Sequence, residues 1–199
     1  MFKAVCVHEV DSAGRSVMYE GGWAHGARHG WGRETVVDET GARIIRYEGE
    51  FSSGKRHGTG TVFSDAGVRQ FMGDLVGGRA HGHGCAYHAD GVTLAYVGEH
   101  HVGRRHGVGS SYHADGSKDY AGHWRDDFPH GVGVSWSRNA STFTGTFRKG
   151  ERHGFFSEHA ANGDRYEGEY ANDVRHGGGK YWDASGRLIY EGDFVNNLP

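Results

Sequence analysis

Seven His-Gly pairs recur along the chain, at His29, His57, His81, His106, His130, His153 and His176. An imidazole titrates near neutral pH and ligates zinc, so a ladder of histidines could sense protons or hold metal. Zinc ligands must all lie ~2 Å from the ion, however, and histidines about 24 residues apart cannot share one. A structural hydrogen bond to a neighbouring segment is therefore the favoured reading for most of them. One tighter grouping exists. His81-x-His83-x-Cys85 places three ligand types on a single strand face, and Cys6-x-His8 is a second pair. If the chain takes a cofactor at all, it is zinc at these residues, with a second chain completing the site.

A second candidate chemistry is recognition of acidic phospholipid headgroups. Arg28, Lys55, Arg56, Arg79, Arg104, Arg105, Arg152 and Arg175 stand just ahead of the His-Gly pairs or one residue further upstream. Headgroup recognition usually gathers 4–8 basic residues in one patch. These recur about 10 Å apart if each repeat advances by two strands, which is roughly a Debye length, and each has acidic neighbours. A solvated, charge-balanced strand edge is the competing reading and the preferred one.

Catalysis finds little support. No phosphate-binding glycine loop, nucleophile elbow, zinc-protease helix or Cys-x-x-Cys pair is present. The chain is expected to be no enzyme. Its 22 basic and 25 acidic residues give a net charge of -3, which offers no pull toward nucleic acid. Two cysteines, Cys6 and Cys85, make no disulfide framework and suit a reducing compartment. No apolar run approaches the ~18 residues of a membrane span, and no signal peptide opens the sequence. A cytoplasmic protein is expected. The sequon at Asn139 is taken as chance.

The elements that must position these residues follow from a repeat. Tyr47-Glu48-Gly49-Glu50-Phe51, followed by Gly54-Lys55-Arg56-His57-Gly58-Thr59-Gly60, returns as Tyr166-Glu167-Gly168-Glu169-Tyr170 and Arg175-His176-Gly177-Gly178-Gly179. The starting aromatics are Tyr19, Tyr47, Phe71, Tyr96, Tyr120, Phe143, Tyr166 and Tyr190, spaced 28, 24, 25, 24, 23, 23 and 24 residues apart. Each has glycine two residues later. Alternation of aromatic and acidic residues is the period of a half-buried strand. A turn follows, holding Gly26, Gly54, Gly78, Gly103 or Gly150, or else Asp127, Asp173 or Asn197. Asx residues tolerate positive φ best after glycine, so that position requires a left-handed backbone. Each repeat is then one hairpin, and stacked hairpins share their aromatics across a sheet. The fold class is all-β: a single-sheet, rod-like array of antiparallel hairpins, about 80 Å long at ~4.8 Å per strand. One array covers residues 1–199, with full repeats at 19–46, 47–70, 71–95, 96–119, 120–142, 143–165 and 166–189. Partial repeats occupy 2–18 and 190–199, which suggests a piece of a longer array.

This pattern resembles the MORN (membrane occupation and recognition nexus) repeat, over nearly the whole chain from Tyr19 to Phe194. The resemblance implies an interaction module. MORN repeats accompany lipid kinases and methyltransferases as accessory modules. Proteins built almost entirely of them resemble cytoskeletal scaffolds of apicomplexan and kinetoplastid parasites. This chain is expected to be such a scaffold, cytoskeleton-associated, near a membrane, and partnered by itself and other cytoskeletal proteins. An acidic-phospholipid adaptor and an accessory module of an enzyme are the alternatives. An open sheet leaves strand edges with unpaired backbone groups. Tyr190, Glu191, Asp193 and Phe194 form such an edge and are the expected homodimer interface. The aromatic rows, including Trp23, Phe51, Trp124, Phe147 and Tyr170, are expected to be core, with a groove for a helix or peptide as the alternative. Phe128-Pro129, Phe156, His100 and Leu75 depart from the repeat and mark where it should be modified.

Overall fold

The computed structural model describes residues 4–11, 14–38 and 40–199, with side chains from His8 onward. Its regular elements are strands: β1 (Ala4–Val10), β2 (Ser16–Ala24), β3 (Ala27–Val37), β4 (Arg43–Ser52), β5 (Lys55–Phe63), β6 (Arg69–Val76), β7 (Arg79–Tyr87), β8 (Leu94–His101), β9 (Arg104–Tyr112), β10 (Lys118–Arg125), β11 (Phe128–Trp136), β12 (Thr142–Arg148), β13 (Glu151–His159), β14 (Arg165–Ala171), β15 (Val174–Trp182) and β16 (Leu188–Phe194). Strand order follows chain order and neighbours pair antiparallel, as β4 does with β5 and β14 with β15. The fold is the expected all-β array of hairpins. Residues 1–104 form one compact unit and residues 105–199 a second.

The tight turn of each hairpin has two left-handed residues, not one. His25 and Gly26 have φ of +51° and +76°, and Asn172 and Asp173 have +50° and +68°. Two positive φ values define the type I′ turn, whose twist matches that of the flanking strands. The turns also lock to one another. In the first unit Gly54 donates its N–H to the Arg28 carbonyl at 3.0 Å and Gly78 to that of Arg56 at 2.8 Å. In the second unit Asp127 donates to Arg105 at 3.0 Å and Asn197 to Arg175 at 3.0 Å. The Asx residues return the bond. Asp127 Oδ1 accepts the Arg105 N–H at 2.9 Å, and Asn197 Oδ1 that of Arg175 at 2.9 Å. Positive-φ tolerance alone therefore understates why Asp and Asn replace glycine there.

Burial alternates as the pattern requires. Tyr47, Gly49 and Phe51 are buried while Glu50 is exposed. The ring of the first aromatic lies flat over two facing glycines. A Cβ on Gly32 would stand 2.5 Å from the Tyr19 ring, and one on Gly179 would stand 2.6 Å from that of Tyr166. Each tyrosine hydroxyl then donates to the carbonyl three residues on, Tyr19 to Gly22 at 2.7 Å and Tyr166 to Glu169 at 3.0 Å. Rings from neighbouring repeats meet edge-to-face: Tyr19 with Phe51 at 5.0 Å, Tyr120 with Phe147 at 5.0 Å, Tyr166 with Phe194 at 5.0 Å.

The departures fill the same core. Leu75 is buried, and His100 packs edge-on against Phe71 and Tyr96 at 5.2 and 5.0 Å in place of an aromatic. Phe156, standing where a glycine is usual, lies fully buried between Phe147 and Tyr170. A Cβ on Gly145 would meet its ring at 2.6 Å, so Phe156 now covers that glycine.

One turn carries strain. Val102 adopts φ of +51° in the turn before β9. A β-branched side chain there collides with its own backbone, at a cost of order 1 kcal/mol or more. Val102→Asn is expected to stabilise the chain by about 1 kcal/mol, seen as a higher urea midpoint at unchanged slope.

Candidate functional site

The basic residues divide by where the hairpin aims them. Arg28, Arg56, Arg105, Arg152 and Arg175 point onto the aromatic face. The Arg56 guanidinium lies 5.0 Å from the Tyr47 ring centre, and that of Arg175 lies 4.6 Å from Tyr166. Arg105 stacks on Trp124 at 4.2 Å, and Arg152 on Tyr170 at 4.8 Å. Each also meets an acid. Arg56 reaches Glu34 at 2.6 Å, Arg28 reaches Glu34 at 2.8 Å and also Glu9, and Arg152 reaches Asp173 at 3.0 Å. These five guanidiniums hold repeat to repeat, through cation–π contact and charge-assisted hydrogen bonds. Lys55, Arg79 and Arg104 are exposed.

One side-chain cluster joins β13, β14 and β15. Glu158, buried, accepts from Tyr170 Oη at 2.5 Å and from Arg175 Nε and Nη2 at 3.0 and 2.8 Å. Burial first, and then the Glu158 carboxylate, push the Tyr170 phenol well above its usual range. Burial likewise raises Tyr47, Tyr120 and Tyr166 to about 12.

The histidine motif proves to be a backbone device. Every glycine of the His-Gly pairs has positive φ, from +58° at Gly58 to +93° at Gly177. The register slips beside it, between Gly49 and Phe51 in one hairpin and between Gly168 and Tyr170 in another, which is a β-bulge. His57, His153 and His176 are exposed. Of the metal candidates, His81, His83 and Cys85 share β7, where the His81 ring lies 5.0 Å from that of His101 and Cys85 is half-buried. His8 is exposed on β1, and the side chain of Cys6 falls outside the described residues. Among the described residues no group of three or more His, Cys, Asp or Glu within the chain is placed to hold a metal ion.

At the outer edge of the second unit, β16 pairs with β15 on one side. Phe194 is buried against Tyr166 and Tyr190, while Glu191 and Asp193 are exposed, Glu191 beside Lys180 at 2.9 Å. Leu188, Ile189, Val195 and Leu198 are exposed along the same strand and its following turn. A cavity of about 500 Å³ opens elsewhere in this unit, between β10, β11 and β12, with Tyr120, Pro129, Trp136 and Phe143 among its walls. Pro129 and Phe143 flank it because the repeat is broken at both Pro129 and Phe156.

Taken together, the hairpin array, the bulge glycines and the arginine–tyrosine ladder define a β-hairpin repeat protein. The profile of the MORN repeat family matches residues 19–38, 47–65, 71–93, 96–118, 120–142, 143–165, 166–186 and 190–199, and the chain belongs to that family. No curated protein matches it. Among the described residues no helix is long and apolar enough to cross a membrane.

Two measurements follow. Tyr47, Tyr120 and Tyr166 have folded pKa values near 12, against about 10 unfolded. The unfolded chain thus loses these protons first, and stability present below about pH 10 should fall as pH rises toward 12. Denaturation midpoints across that range, with phenolate absorbance followed in parallel, check the direction. Separately, Arg175→Met leaves the buried Glu158 carboxylate without its counter-charge, held by the Tyr170 hydroxyl alone, and should cost about 3 kcal/mol, whereas exposed Lys55→Met should stay within about 0.5 kcal/mol. Thermal melts of the two variants decide it.

Proposed function

We propose that this chain is a non-catalytic scaffold that pairs with a second copy of itself through β16, and through that assembly organises cytoskeletal partners. The edge of β16 carries the reading: among the described residues the strand is paired on one side only, by β15, and four exposed aliphatic side chains cluster along it. An open edge of this kind favours strand addition, since each unpaired N–H and C=O finds a partner in a second antiparallel strand. Commitment of five arginines to ring and carboxylate contacts favours this scaffold over a lipid adaptor. The cytoskeletal assignment rests on the resemblance of an all-repeat chain to scaffolds of that kind.

Light scattering after size exclusion should give a dimer at tens of micromolar, on the order expected for a modest edge interface. Ile189→Pro with Val195→Lys should return a monomer of unchanged circular dichroism. A wild-type monomer at that concentration defeats the proposal. Sedimentation with anionic liposomes at low salt, lost in a Lys55, Arg79 and Arg104 triple alanine variant, would favour the adaptor instead.

A further inference from the structure

In at least three hairpins a guanidinium covers the first tyrosine, and the hairpins of β6–β7 and β10–β11 lack the arginine that would do so. Arg28 covers Tyr19 at 5.0 Å, Arg56 covers Tyr47 at 5.0 Å and Arg175 covers Tyr166 at 4.6 Å. Glu34 stands opposite Tyr47 across the ladder and pairs with Arg56, while Glu158 stands opposite Tyr166 and pairs with Arg175. The slot is therefore an aromatic floor with an acid at its side. In the hairpin of β10 and β11 the arginine position is Pro129. The residue opposite Tyr120 is Ser111, whose hydroxyl donates to Asp119 Oδ2 at 2.8 Å. The opposite acid and the cation are both gone, but Asp119 of β10 supplies a carboxylate beside the slot.

The cavity of about 500 Å³ lies at this place, lined by Asp119, Tyr120, Pro129, Trp136, Phe143 and Arg152, among others. Its charges do not cancel internally. Arg152 is paired with Asp173, also in the wall, at 3.0 Å, which leaves Asp119 as the net charge. His113 also faces Asp119, at 3.8 Å. Lys118 lies 5.2 Å from the Trp136 ring but does not line the cavity. The hairpin of β6 and β7 makes the contrast. There Ala80 replaces the arginine and Val62 stands opposite Phe71, so cation and acid are both absent.

We infer that this cavity is a vacated arginine slot that accepts the guanidinium of an arginine on a partner protein. Aromatic walls and one uncompensated carboxylate are what a planar monocation needs, through cation–π contact and a charge-assisted hydrogen bond to Asp119. The volume is in the range of ordinary ligand sites and accommodates the side chain. This inference is independent of edge pairing by β16, because the cavity lies within one chain.

The test is titration of the full chain with N-acetyl-arginine amide, following the Trp136 indole N–H resonance by NMR. The neutral isostere N-acetyl-citrulline amide is the control. Saturable shifts with arginine but not citrulline are expected. Asp119→Asn should weaken binding at least about tenfold, or 1.4 kcal/mol. Pro129→Arg refills the slot from within, and should abolish binding while leaving the fold intact by circular dichroism. Equal shifts with citrulline, indifference to Asp119→Asn, or no saturable shift up to about 20 mM overturns the proposal. A Gly-Ser-Arg-Ser-Gly peptide separates the sources. Binding at least as tight as the free amide supports a partner's arginine, whereas failure of the peptide alone assigns the slot to a free guanidino compound and overturns it.

Discussion

A single layer of hairpins has no second layer against which to bury its hydrophobic side chains, and the tyrosine rings solve this by lying on the sheet's own backbone. Two facing glycines, such as Gly21 and Gly32, leave a flat patch with no Cβ, and the Tyr19 ring occupies it. Much of the rest follows from that contact. The ring's depth brings its hydroxyl to a main-chain carbonyl three residues on, at 2.7 Å for Tyr19. Rings of the next repeat then arrive edge-on, the geometry aromatic quadrupoles prefer. Only above such a floor do the guanidiniums find a face to cover and an acid to pair with.

Relaxing the constraint shows how the slot works. Phe156 removes a glycine and supplies a ring from the opposite strand, so the space over Gly145 remains filled by different atoms. Phe143 is left half-buried, with Arg152 stacked on it at 4.2 Å. His100 and Leu75 replace rings with groups of comparable bulk, which close-packed interiors tolerate best. Pro129 differs because nothing fills the position of the lost arginine, and a cavity results.

Legibility in the sequence tracked the range of the interaction. The repeat, its hairpins, the in-and-out alternation at Tyr47 to Phe51 and the left-handed second turn residue were all readable, since each rests on a few adjacent residues. The first turn residue was not, because His25, Ser53, Val102 and Lys149 carry no common signal for positive φ. The His-Gly pairs favour structural histidines in the sequence, yet it is the glycine that forms the bulge, and its φ is invisible in a residue list.

The sequence by itself determined a periodic all-β array, because glycine, Asx and alternating aromatics act through local backbone geometry that recurs every repeat. The tertiary structure alone decided which arginines serve the core and which face outward. Arg56 meets Glu34 across 22 residues and Arg175 meets Glu158 across 17. Such pairs depend on what a neighbouring repeat happens to carry at one position, and no period within a single repeat encodes that. The same reason makes the slot at Pro129 distinctive: its emptiness follows from a proline in one repeat and a serine-held aspartate beside it.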